Sequence, residues 1–147
     1  MSVTSRATIR AAVAALLPSA LGIPAGNVLE GLPGAFRGAS PLVAVLSGGT
    51  NREPSAYAED FPKLYLDIRT YVLLSTPDGT WTEANAEATI DALEAGIATA
   101  LLAHQQTATW QNIAYGGRSR VEDVITLDGF IYRRETIPIV VECTSDT

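Results

Sequence analysis

The chain has 147 residues, a length that suits one domain, and a chain of that size buries roughly 68–70% of the surface its unfolded form exposes. Apolar residues make up 47% and charged residues 18%, which excludes a disordered chain, and the net charge of −6 repels phosphate, which argues against nucleic acid wrapped around the outside. One cysteine, Cys143, excludes an internal disulfide framework and fits a reducing cytoplasm, and with the single histidine, His104, it leaves a Cys/His zinc site short of ligands.

Arg6 and Arg10 precede an Ala/Leu-rich stretch with the outline of a secretory leader. Ile9, Val13, Leu16 and Leu17 nevertheless fall at helical spacing, so the stretch reads as an amphipathic helix from about Ser5 to Leu17, ending against Pro18. No run approaches the ~18 apolar residues of a membrane span, and no membrane partner is expected. Gly22 to Ser40 holds five glycines and two prolines and reads as loop, with at most a short strand near Val28. Pro41 to Leu46 has the continuous apolar character of a buried strand.

Ser47 to Pro62 is polar, and the expectation is a long inter-strand loop, either functional or mobile. The next strand has the clearest signal in the chain. Leu64, Leu66, Ile68, Thr70, Val72 and Leu74 alternate with a more polar row that carries Tyr65, Arg69 and Tyr71, so one face meets a core and the other is expected outside. Pro77-Asp78-Gly79 turns the chain. Thr80 and Glu83 have capping-box spacing, which predicts a second helix from there to about His104. Its buried stripe is Ile90, Leu93, Ile97 and Leu101, with Ala86, Gly96 and Ala100 small enough for close packing on a sheet.

The last third reads as β: strands over Trp110 to Tyr115 and Val121 to Leu127, then a closing strand from Phe130 to about Val141. Without strand–helix alternation, the expected class is α+β: an antiparallel or mixed sheet of about four to five strands against two helices, with a C-terminal β-hairpin. Asp128-Gly129 signals a two-residue turn, which sets Leu127 opposite Phe130, Ile125 opposite Tyr132 and Asp123 opposite Arg134. In that register the apolar side changes partway down the hairpin. Either a bulge near Glu135 restores one core face, or the apolar tip packs on another subunit. The second alternative makes Ile125, Leu127, Phe130 and Tyr132 a candidate subunit interface, flanked by Arg118 and Arg134. Pro138 cannot donate to a ladder and marks an edge or a bulge.

Chemistry-bearing patterns are weak. His104 sits where a helix C-terminus favours a cation, and Cys143 lies on an apolar alternation. The glycine-rich segments lack the ending of a phosphate loop, so neither a catalytic residue nor a cofactor is assigned. Glu83, Glu87, Asp91 and Glu94 fall along one helical stripe that reads as a solvated face. Because like charges at this spacing disfavour a helix, the stripe also suits a basic partner or the wall of a channel that a polyanion must slip through.

Three segments carry a resemblance. Trp81-Thr82-Glu83-Ala84 opens the second helix. Trp110 precedes Tyr115, Gly117, Arg118 and Ser119, and the closing strand holds Tyr132, Arg133, Glu135, Ile137 and Pro138. Over about residues 60–142 the chain resembles the tail terminator (minor tail, tail completion) proteins of long-tailed bacteriophages. That resemblance implies a non-enzymatic virion protein, made in the host cytoplasm, forming a hexameric ring at the head-proximal end of the tail tube. Its implied partners are copies of itself, the tail tube protein, a head–tail connector protein and genomic DNA passing through the lumen without sequence-specific binding. It also implies that the polar segment, with Asn51, Arg52, Glu53, Tyr57 and Asp60, contacts the tube or the connector. Another neck or head-closure protein of the same virion is the alternative. A small ligand-binding domain, with a site built from Tyr65, Arg69 and Tyr71, is a third.

Overall fold

In a computed structural model of the chain, the described residues are 5–32, 34–54, 60–81 and 85–143, with side chains at all of these except 53–54 and 60–61. Two helices and six strands follow in the order α1 (Arg6–Leu21), β1 (Val28–Leu29), β2 (Leu42–Pro54), β3 (Asp60–Ser75), α2 (Ala86–Ala103), β4 (Asn112–Tyr115), β5 (Arg120–Ile125) and β6 (Ile131–Glu142). The class is α+β, with one mixed sheet carrying both helices on the same face.

Ser5 caps α1, its hydroxyl accepting from the Ala7 N–H at 3.2 Å. Ile9, Val13 and Leu17 form the buried stripe. The helix runs through Pro18 to Leu21, past the stop expected from the sequence. Proline removes only its own N–H, and the Pro18 carbonyl still accepts from Gly22 and from Ile23, the latter at 3.1 Å. Leu21 thereby reaches the core and packs against Gly96 of α2, where an added Cβ would lie 2.6 Å from its Cδ2. The small residue at 96 thus serves helix-on-helix contact and not packing on the sheet.

At its described residues, 47–54 and 60–62, the polar segment after Leu46 forms strand arms where a loop was expected. β2 and β3 stay paired to Pro54↔Asp60, with Asn51 opposite Lys63 and Arg52 opposite Pro62. Gly48 and Gly49 form a bulge in β2. The register shifts between Ser47 and Gly49, Gly49 takes φ 119, and a side chain at Gly48 would crowd the Tyr65 carbonyl oxygen at 3.2 Å.

The sheet order is β1-β2-β3-β6-β4, with β5 also on β6. β4 and β5 therefore lie in line along the outer edge of β6, one opposite Ile139–Glu142 and the other opposite Ile131–Thr136. Between them the Pro138 carbonyl accepts from the Gly116 N–H at 2.8 Å, and the proline has no N–H to return, so the ladder breaks there.

On the helix side, Leu64, Leu66 and Ile68 of β3 and Ile137, Ile139 and Val141 of β6 are buried against Ile9, Val13, Leu17, Ile97 and Leu101. Each such side chain contributes about 1.5–3 kcal/mol on burial. Thr70 and Glu135 stand opposite each other in these rows, the polar pair in an apolar layer. α2 begins later than the capping-box spacing predicts, at Ala86 with Asn85 in the cap position. The Thr80 N–H bonds to Asp78 Oδ1 at 3.1 Å in the preceding turn, and Glu83 lies outside the described residues.

The opposite sheet face is also closed over part of its length. Tyr71 and Tyr132 are buried there beside Leu42 and Ala44, and Phe36 from the glycine-rich loop packs edge-on against both rings, with centroids 4.8 and 5.1 Å away. The Tyr-bearing row of β3 is thus a second core at this end, not an outward face.

Candidate subunit interface

The β5–β6 hairpin turns through three residues. The Thr126 N–H bonds to the Phe130 carbonyl at 2.9 Å and the Gly129 N–H to the Thr126 carbonyl at 3.0 Å, with Gly129 at φ 84. This is a type I turn completed by a left-handed glycine. Thr126 also donates its hydroxyl to the Asp128 carboxylate, and the Arg37 N–H bonds to the same carboxylate at 2.9 Å. The Thr126 hydroxyl and then Arg37 hold the Asp128 carboxyl below its usual range.

The extra turn residue slips the expected register by one. Val124 stands opposite Tyr132, Asp123 opposite Arg133 and Glu122 opposite Arg134, and the pairing runs unbroken through Val121↔Glu135 without the bulge considered there. A one-residue slip exchanges the faces of a strand. Tyr132 is consequently a core residue of its own subunit, fully buried, with its hydroxyl donating to the Ala39 carbonyl at 2.9 Å. Phe130 is half-buried against the same cluster and touches Gly38. Tyr132 thus belongs to no projecting tip, which corrects one of the four apolar interface residues expected, while Phe130 is in part packed on its own chain.

Ile125 and Leu127 remain outside, 75% and 96% exposed. Ile125 and Val121 lie on β5, with Leu127 in the turn after it; the residues of β5 are exposed apart from the half-buried Val124, and its outer edge pairs with no strand among the described residues. Arg118 is exposed at the kink before β5. Arg134 is engaged within the subunit by Glu122, and that contact holds the Glu122 carboxyl below its usual range.

The acidic stripe is in large part spoken for. Glu87 pairs with Arg133, which also holds Asp123 at 3.0 Å. Glu94 accepts from the Tyr115 hydroxyl at 2.9 Å, and burial followed by this bond pushes the Tyr115 phenol upward. Asp91 is exposed. Behind the stripe, Glu135 accepts from the Ser119 hydroxyl at 2.7 Å; burial pushes its carboxyl upward, and Glu94 and Asp91 add to this. The solvated-face reading thus holds for Asp91 and for Glu87, which is exposed although paired with Arg133, whereas Glu94 ties α2 to β4.

Of the candidate contact residues in the polar segment, Asn51 and Arg52 are exposed on β2, opposite Lys63 and Pro62. Glu53 and Asp60 are placed by backbone pairing, and Tyr57 lies outside the described residues. His104 is the C-cap of α2, with its ring Nδ1 2.9 Å from the Ala100 carbonyl oxygen, and its own carbonyl accepts from the Trp110 indole N–H at 2.8 Å. Cys143 is buried. The alternative ligand site is dispersed, because Tyr71 lies inside the aromatic cluster while Tyr65 is 37% exposed nearer the far end of β3.

A feature missed in the sequence is an apolar groove of about 270 Å³ between the C-terminal half of α2 and β4. Ala98, Leu101, Leu102, Ile113 and Ala114 line it together with the polar Glu94, Gln105 and Tyr115. The one sequence signal for it is Leu102, off the buried stripe of α2 and 72% exposed.

These features define an α+β domain with an open sheet edge and an apolar corner. Comparisons with protein-family models and with curated proteins find no match to the chain.

Proposed function

We propose that this protein is a structural virion subunit that builds a ring at the head-proximal end of a phage tail tube, ends tube growth and presents the surface that joins the head. The three segments that resemble tail terminator proteins support the reading. The observation that carries it is the open edge of β5, which ends at the exposed Ile125, with the exposed Leu127 in the turn beyond it. An unpaired edge beside apolar side chains invites a neighbouring chain, and burying such side chains on a second copy stabilises association. Ring closure leaves the lumen free for DNA, and a chain of net charge −6 lets a polyanion pass without holding it.

The experiment is deletion of the coding sequence from the phage that carries it. Overlong tails are the expected outcome. Tails of normal length with leaking heads would instead assign the chain to head closure, and normal virions would remove both roles.

A further inference from the structure

The sheet has β1 at one outer edge and β5 at the other, and neither pairs further with a strand among the described residues. The pairings set these two edges level. Val28 stands opposite Val43, Val43 opposite Thr70, Thr70 opposite Glu135 and Glu135 opposite Val121. Leu29 and Arg120 end the next row in the same way, through Ala44, Arg69 and Thr136. A neighbour that meets β5 with its own β1 is therefore displaced across the strands and not along them.

Charge separates the two edges. Glu30, directly after β1, is exposed and is the one charged residue from Gly22 to Phe36. On β5 the carboxylates are already taken, Glu122 by Arg134 and Asp123 by Arg133. Arg118 and Arg120 are exposed and form no salt bridge among the described residues, Arg120 acting on Glu122 only from beyond that distance. With Val28 level with Val121 and Leu29 with Arg120, the next residue, Glu30, comes level with Ser119, between the two arginines. A groove of about 760 Å³ lies at that point, lined by Arg118, Ser119, Arg120, Val121 and Glu122. Five consecutive residues of one edge make a single wall, unlike the concave site that encloses a small molecule.

We infer that a second copy seats its β1 edge on β5, with its Val28 beside Val121 and its Glu30 between Arg118 and Arg120. The inference rests on the self-assembly proposed above and names the two edges that meet. β1 is two residues long and the Val28 N–H already bonds to the Ala25 carbonyl, so side chains carry the contact. Because opposite edges join, the contact is heterologous and produces closed rings or open filaments.

Light scattering on the full chain tests it by charge reversal at these exposed positions. Glu30→Arg should weaken association roughly 10- to 100-fold, and so should Arg118→Glu combined with Arg120→Glu. The triple variant brings opposite signs together again and should recover most of the native association, which misfolded chains would not do. Glu30→Gln, which removes the charge and keeps the size, should weaken association in the same direction. Native-like assembly of both Glu30 variants would give β5 another partner surface and overturn the pairing. A triple variant that associates as weakly as its parents would overturn it as well. A native chain that stays monomeric throughout would instead remove the self-assembly, and the pairing with it.

Discussion

The Tyr132 hydroxyl donates to the Ala39 carbonyl across 2.9 Å, tying the start of β6 to the glycine-rich loop that covers the outer face of the sheet. The ring below it is fully buried against Phe36 and Tyr71. A hydrogen bond of this kind contributes about 1 kcal/mol net, so Tyr132→Phe should lower stability by about that amount and keep the fold. Tyr132→Ala, which also empties the ring's space, should cost about 3–5 kcal/mol. Urea unfolding of the two variants beside the native chain measures both, and equal small losses would show that the cluster packs loosely.

The two ends of the turn should respond in opposite ways. Leu127 is almost fully exposed, so Leu127→Asp should leave the melting temperature within a degree or two while weakening self-association. Phe130 packs on Gly38 and the outer-face cluster, so Phe130→Asp should destabilise the isolated subunit by about 2 kcal/mol or more. Calorimetry on dilute samples distinguishes them. An unfolded Leu127→Asp would place the tip in the subunit's own core.

Glu135 gives stability a pH dependence of known sign. Burial raises its carboxyl above the usual value of 4.5, so in the window above 4.5 the folded chain binds more protons than the unfolded one. Stability from this group therefore falls as pH rises through the window and is recovered in acid. Glu135→Gln keeps an acceptor for Ser119 and removes the titration. Relative to the native chain it should gain stability at neutral pH and show no advantage below the ordinary glutamate value. Parallel melting curves across pH check this, and a constant difference would contradict it.

Gly49 holds φ 119 in the bulge of β2, a conformation that side chains rarely adopt. Gly49→Ala should cost about 1–3 kcal/mol although the space beside it is open, because the strain lies in the backbone. A neutral result in denaturant unfolding would mean that β2 can shed the bulge.

Much of the architecture was legible in the sequence. The period-two rows of β3, the helical stripe of α2 and the Asp128-Gly129 turn each have short-range signals that local structure obeys. The hairpin register was not, because two-residue and three-residue loops both place Gly129 at positive φ, and one residue of difference exchanges the faces. Strand pairing likewise turned a polar stretch from Ser47 onward into strand, since backbone hydrogen bonds to β3 do not depend on apolar side chains. The groove was out of reach for another reason: Leu102 and Ala114 come together only through the packing of α2 on β4.

The most direct measurement is the mass and shape of the purified full chain over a wide concentration range, by light scattering with negative-stain electron microscopy, alone and with tail tubes. The expected result is a closed ring of uniform subunit number, formed in solution or capping one end of the tubes. A monomer at every concentration that leaves tube ends bare and growing would contradict the assembly role.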